Sequence, residues 1–212
     1  MLEWIAMLTM LIDHLGYAFF SDYPILRVIG RISFPLYCYF IVIGIKRTSN
    51  RKRYIKRLFF IAVLSQVPYN LVFQEIQLNV VFVLFFGAVC IVIYEEFQGL
   101  LKWILLISVS STILFYSDYM SYGIYGILLC FLYYFLKEKP ITLIVSHVLI
   151  NIFYNYIETG LFVSGQMLSL IGTFIIMYSH KLPEISVPRN FYKAFYPVHL
   201  LVIGIVLFLF YT

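Results

Sequence analysis

Charge is scarce in this sequence. Asp, Glu, Lys and Arg make up 12% of its 212 residues, where soluble domains carry about 25%. With 63% of residues hydrophobic, the composition argues against an ordinary soluble domain and for a membrane protein. Cysteine is thin as well. Cys38, Cys90 and Cys130 each lie inside an apolar run and none stands at CxxC spacing, so they read as small buried hydrophobes, neither a disulfide framework nor a metal site. The chain has no Walker loop, no GxSxG elbow, no HExxH helix and no Rossmann glycine fingerprint. It has no internal repeat, and so lacks that sign of the inverted-repeat build of many transporters. A net charge of +5 would suit nucleic acid if it were spread over a surface. Seven of the fifteen basic residues instead fall between Lys46 and Arg57, joining two apolar runs. That is the pattern of a cytoplasmic loop, and no nucleic-acid partner is expected.

What the sequence has in abundance is apolar runs. Nine qualify as candidate spans: 2–20, 24–45, 54–73, 78–94, 100–115, 121–136, 141–157, 161–179 and 194–211. They predict an all-α, polytopic helical bundle forming one domain over residues 1–212, with membrane lipid as its surroundings. With the basic loop 46–57 inside, only Arg27 and Arg31 of the fifteen basic residues fall on the outer side, which places the amino terminus inside and the carboxyl terminus outside. The first run has no basic leader before it and no small-residue cleavage site after it, so it reads as a retained helix, not a signal peptide. Trp4, Tyr94, Trp103 and Tyr211 suit interfacial belts.

Polar residues inside these runs are the candidates for chemistry. Asp13 and His14 sit two-thirds of the way along a run of nineteen residues, which as a helix is just under about 30 Å long. An Asp at the bilayer centre costs roughly 2.5–3.5 kcal/mol, and such groups usually face the bundle interior and function there. A structural pair locking the first helix to a neighbour is the alternative. Arg27 and Arg31 share a face of the second run at i and i+4. The short connection between the two runs makes their helices antiparallel neighbours, so Arg31 is expected to pair with Asp13, while Arg27 either joins the site or snorkels to the surface.

Gln66, beside Pro68, and Asn79 each need a polar partner, either a ligand or a neighbouring helix. Tyr122, Gly123 and Gly126 suit close helix packing. His147 and Asn151 share a face of the seventh run, with no acidic or Cys partner at zinc-ligand spacing, so no metal is expected. His199, with Tyr196 and Pro197 before it, sits about two turns into the last run, where it either meets a ligand or caps a packing interface.

Taken together, MLTMLIDHLG (7–16), RVIGRISFPLYCYFIVIG (27–44), YIKRLFFIAVLSQVPYNL (54–71), LNVVFVLFFG (78–87), SYGIYGIL (121–128) and NFYKAFYPVHLLVI (190–203) resemble the TraX family of polytopic membrane proteins over essentially the whole chain. The combination of DHxG, GRxxFPLxxF and a late FYPxHL carries the likeness. The resemblance implies an integral-membrane acetyltransferase of a bacterial-type cell membrane, one that takes acetyl-CoA from the cytoplasm. Its founding member is associated with acetylation of a pilin amino terminus, and related membrane acyltransferases often carry a key His in an early helix.

On that reading His14 is the general base or acetyl carrier, with Asp13 orienting it. Arg53, Lys56, Arg57 and Lys193 are candidates for the CoA phosphates, and Arg31, Gln66, Asn79, Tyr196 and His199 for other contacts with the cofactor. The acceptor would be a peptide amine or a glycan or lipid hydroxyl. The competing reading of the same residues is a proton-coupled transporter using Asp13, His14 and Arg31 as a relay.

Overall fold

The computed structural model describes residues 1–211; Thr212, where the carboxyl-terminal side was expected to emerge, lies outside them. The described chain is all-helical. Its helices are α1 (Leu2–Phe19), α2 (Pro24–Gly30), α3 (Ser33–Arg47), α4 (Arg51–Phe73), α5 (Val80–Glu96), α6 (Gly99–Phe115), α7 (Gly123–Leu136), α8 (Pro140–Thr159), α9 (Ser169–Met177) and α10 (Arg189–Tyr211). Each of the nine apolar runs contains a helix. Among the described residues, three helical segments are long and apolar enough to cross a membrane: Pro24–Arg47, Pro140–Thr159 and Arg189–Phe210.

Local chemistry sets the helix ends. The Asn50 side chain accepts a bond from the Arg53 N–H at 2.8 Å and starts α4, and the Asn79 side chain accepts from the Val81 N–H at 3.0 Å and starts α5. The second run is not one continuous helix. It breaks at Arg31–Ile32, because Pro35 has no N–H for the Arg31 carbonyl and its ring crowds that turn; the Ser33 hydroxyl donates to the Gly30 carbonyl at 2.7 Å across the break. The eighth run is also shorter than expected. Only Ser169–Met177 is α-helical, after a 3₁₀ turn at Gly165–Leu168. Gly160, at φ +70°, ends α8, and the Ser164 hydroxyl accepts from the Gln166 N–H at 3.1 Å to start the 3₁₀ turn.

The broken helix is the hub. α3 buries Phe34, Leu36, Cys38, Tyr39, Ile41, Val42 and Ile45, and packs against α1, α5, α7 and α9. A helix buried on nearly every side needs apolar residues all round, which is why its sequence shows no polar face. One core joins α3, α5 and α7. A second joins α1, α4 and α10 around Met10, Ala62, Tyr69 and Leu200. Gly126 permits the α3–α5–α7 approach, since a Cβ there would overlap Val83 and Phe34. The three cysteines are free and buried. Outward positions remain apolar: Ile107 is 63% exposed, Leu149 60% and Val67 68%. A surface of this kind suits lipid, since soluble monomers rarely expose apolar patches of more than a few hundred Å².

Candidate active site

α1 and α10 bring together two histidines that are 185 positions apart in sequence. His14 Nδ1 lies 2.6 Å from His199 Nε2. The rings are parallel to within 5°, with centroids 4.9 Å apart. The N···N distance plus two ring radii accounts for that separation, so the imidazoles meet edge to edge in a common plane. His199 Nδ1 lies 2.6 Å from the Phe195 carbonyl oxygen, one turn back on α10.

This chain of contacts assigns the protons. A carbonyl only accepts, so His199 Nδ1 carries hydrogen. In neutral His199 the Nε2 is then a lone pair, and it accepts from His14 Nδ1–H. His14 Nε2 is left as a lone pair. Phe73 packs edge-on to His14 at 5.6 Å and Tyr196 at 6.1 Å, fixing the ring from two further sides. Both histidines are buried.

The expected Asp13–Arg31 pair is not the one that forms. Arg27 donates to Asp13 Oδ2 at 2.6 Å, because Gly30 lets α2 approach α1 so closely that a Cβ there would overlap the Asp13 side chain. Of the two readings of Arg27, membership of the site is therefore the one realised. Arg31, one turn further, donates to the Tyr122 hydroxyl at 2.7 Å, and its charge reaches Asp13 only through space. Asp13 Oδ2 stands 4.0 Å from His14 Nε2, too far for a hydrogen bond. Successive helix residues do not face each other, so the group that orients the His14 ring by hydrogen bonding is His199.

Of these side chains, Asp13, His14, Arg27, Arg31, Phe73, Tyr122 and Tyr196 border a cavity of about 880 Å³, within the range of small-molecule sites. His199, expected to meet a ligand or cap a packing interface, does not line it and contacts His14 and the Phe195 carbonyl instead. Asp13, His14, Arg27, Arg31, Tyr122 and Tyr154 line one end; Glu3, Tyr54, Arg57, Arg189, Tyr192 and Lys193 line the other. Along α1, Glu3 and Asp13 are ten residues apart, or about 15 Å. Arg57, set over the Tyr54 ring at 5.7 Å, Lys193 and the buried Tyr196 all border this space.

Other expected contacts fall elsewhere. Arg53 and Lys56 are exposed on α4 and do not line the cavity. Gln66 and Asn79 cross-link α4 to the start of α5. Asn79 Nδ2 donates to the Ala62 carbonyl at 2.7 Å and to Gln66 Oε1 at 2.9 Å, while Gln66 Nε2 donates to Asn70 Oδ1 and to the Gln77 carbonyl, each at 2.7 Å. With both amide N–H pairs engaged, neither side chain has a donor left for a cofactor. The correction is that they hold helices together.

A second polar network lies behind Tyr125. The Tyr125 hydroxyl donates to Asn151 Oδ1 at 2.8 Å, Asn151 Nδ2 donates to Ser169 at 2.9 Å, and His147 Nδ1 lies 2.6 Å from the Thr173 hydroxyl. Fully buried hydroxyl, amide and imidazole groups that satisfy one another stitch α7, α8 and α9 together.

Fold and site define a class: an apolar helical bundle of membrane type, with ionisable side chains at both ends of a cavity between its helices. The chain belongs to the TraX protein family, whose match covers residues 1–207. It is also 38% identical over 73 residues to a probable fimbrial assembly protein FimC, serogroup H1, of Dichelobacter nodosus; the match covers 32% of this chain and 30% of that relative. No solved structure matches it.

Proposed function

We propose that the protein is an integral-membrane acetyltransferase that draws acetyl-CoA from the cytoplasm and acetylates an amine or hydroxyl reaching it from the outer side. The observation that carries this reading is a histidine with an unshared ring nitrogen, held in a cavity whose opposite end is basic. With the loop 46–57 inside, the end lined by Arg57, Arg189 and Lys193 faces the cytoplasm, and His14 lies toward the outer side. The same orientation, with nine crossings, belongs to this proposal.

The cavity suits acetyl-CoA in charge and length. Arg57, Arg189 and Lys193 would hold its phosphates, and the distance along α1 is one that a pantetheine arm can bridge. When bound, acetyl-CoA supplies an acetyl group activated as a thioester. His14 Nε2 takes the proton of the acceptor N–H or O–H as a new bond forms to the acetyl carbon. The carbon–sulfur bond breaks, and the imidazolium returns its proton to the departing thiolate. His199 keeps the ring in the tautomer that leaves Nε2 free. Asp13 neutralises Arg27, whose charge would otherwise oppose protonation of His14.

Membership of the TraX family, linked to pilin acetylation, supports this reading, as does the relative named for fimbrial assembly. The test is purified protein in detergent with acetyl-CoA. Binding that weakens with salt and slow release of free CoA are expected. Absence of binding at any ionic strength would overturn the proposal, and solute uptake into vesicles without CoA release would favour a transporter.

A further inference from the structure

Arg31 stands apart from the other cation at its end of the cavity. Arg27 is neutralised by Asp13 at 2.6 Å, whereas among the described residues Arg31 forms no ion pair. Among the described residues its one side-chain hydrogen bond goes to the Tyr122 hydroxyl at 2.7 Å, so a single donor of a five-donor planar fork is used there. Arg31 lines the cavity and is partly buried; Asp13 acts on it only through space, and a desolvated charge without a contacting counter-ion is costly.

The fold nonetheless holds it in place. The guanidinium sits 5.6 Å from the Tyr122 ring centroid, and that ring stacks on Phe34 at 4.1 Å and 12°. Tyr122 itself has φ +67°, a left-handed backbone that bulky residues rarely adopt and that clusters at ligand sites.

We propose that Arg31 is the anion-binding group of the acceptor subsite, taking a carboxylate or phosphate carried by the acceptor beside the nucleophile offered to His14. This rests on the acetyltransferase reading. The phosphates of the donor have their own cations at the Arg57 end, about 15 Å away by the rise of α1, so a cation at the His14 end of the cavity, where Gly30 packs on Asp13, is placed to meet the acceptor. Glu75, Asp118 and Glu158 also line this part of the cavity. They disfavour a polyanion and suit an acceptor that pairs one anionic group with an amine.

Four small amines test this with acetyl-CoA: β-alanine and 2-aminoethyl phosphate, and their neutral counterparts β-alaninamide and ethanolamine. The wild type is expected to favour the anionic acceptors by about 10- to 100-fold in kcat/KM, the range for one charged hydrogen-bonded contact. The better of the two identifies the anion as carboxylate or phosphate. In Arg31→Gln the ratio of anionic to neutral falls to about 1, and Arg31→Lys, which keeps the charge without the fork, retains part of it should the Gln variant fail to fold. Equal use of charged and neutral amines by the wild type, or an unchanged ratio in Arg31→Gln, overturns the proposal. If no amine is acetylated, the acetyltransferase reading is what fails on these acceptors. Thermal stabilisation by 2-aminoethyl phosphate then decides the anion site separately: present in wild type and lost in Arg31→Gln supports it, and absent in wild type refutes it.

Discussion

Replacing His199 with alanine removes the acceptor of the His14 Nδ1–H bond, 2.6 Å long in the native protein, and leaves that donor buried. An unsatisfied buried donor costs about 1–3 kcal/mol. The ring escapes the penalty by rotating or by moving its proton to Nε2, and either change takes the lone pair from the cavity. If the working arrangement is disfavoured by that amount, kcat falls about 5- to 150-fold. KM for acetyl-CoA should hold, because Arg57 and Lys193 lie at the far end of the cavity. His199→Gln is the informative companion. Its longer amide reaches the position of Nε2, and Oε1 can accept from His14 Nδ1–H, so part of the rate should return even though the tie to Phe195 is gone. The assay is CoA release at saturating acetyl-CoA, with melting curves on the same samples. Full kcat in His199→Ala, with normal melting, would refute the claim that His199 sets the His14 tautomer.

Neutralising Arg57 and Lys193 together should raise KM for acetyl-CoA several-fold and flatten its salt dependence, with kcat little changed, as for contacts made equally in ground and transition states; the same change at Arg53 and Lys56 should leave KM as it was. Gly30→Ala drives a methyl into Asp13 and should lower both the melting temperature and turnover. Asp13→Asn breaks the ion pair with Arg27, whose side chain is 34% exposed, so the loss should be about 1–2 kcal/mol by denaturant titration, below the 3–5 of a fully buried pair. A reporter fused after α10 should be active only in its extracytoplasmic form, and a cytoplasmic signal would remove the nine-crossing topology.

Much of the helical architecture is legible from apolar runs, because lipid and core both select them. The break between α2 and α3 was also present in the sequence, in Pro35, but an apolar run long enough to cross a membrane hid it. In the site, Asp13 and His14 stand out by their cost in an apolar helix. Their partners do not. The proximity of Arg27 and Arg31 to Asp13 follows from a short connection, but which of the two meets it depends on Gly30 and the exact approach of the helices. His199 is separated from His14 by nearly the whole chain, and its role depends on the packing of α10 against α1 and α4, which no local pattern encodes. For Gln66 and Asn79 the sequence leaves a ligand and a neighbouring helix both open, because an amide in an apolar run signals only that a partner exists, and here each is a partner of the other.

The central claim is that His14 Nε2 moves the proton of the acceptor. Its most direct test measures turnover and acetyl-CoA binding on one purified sample of His14→Ala. Binding is expected to persist, because the cations for the donor lie at the opposite end of the cavity, and acetyl transfer is expected to fall by about 10²-fold or more, the usual contribution of a positioned base. Near-normal turnover in the folded variant would contradict the account.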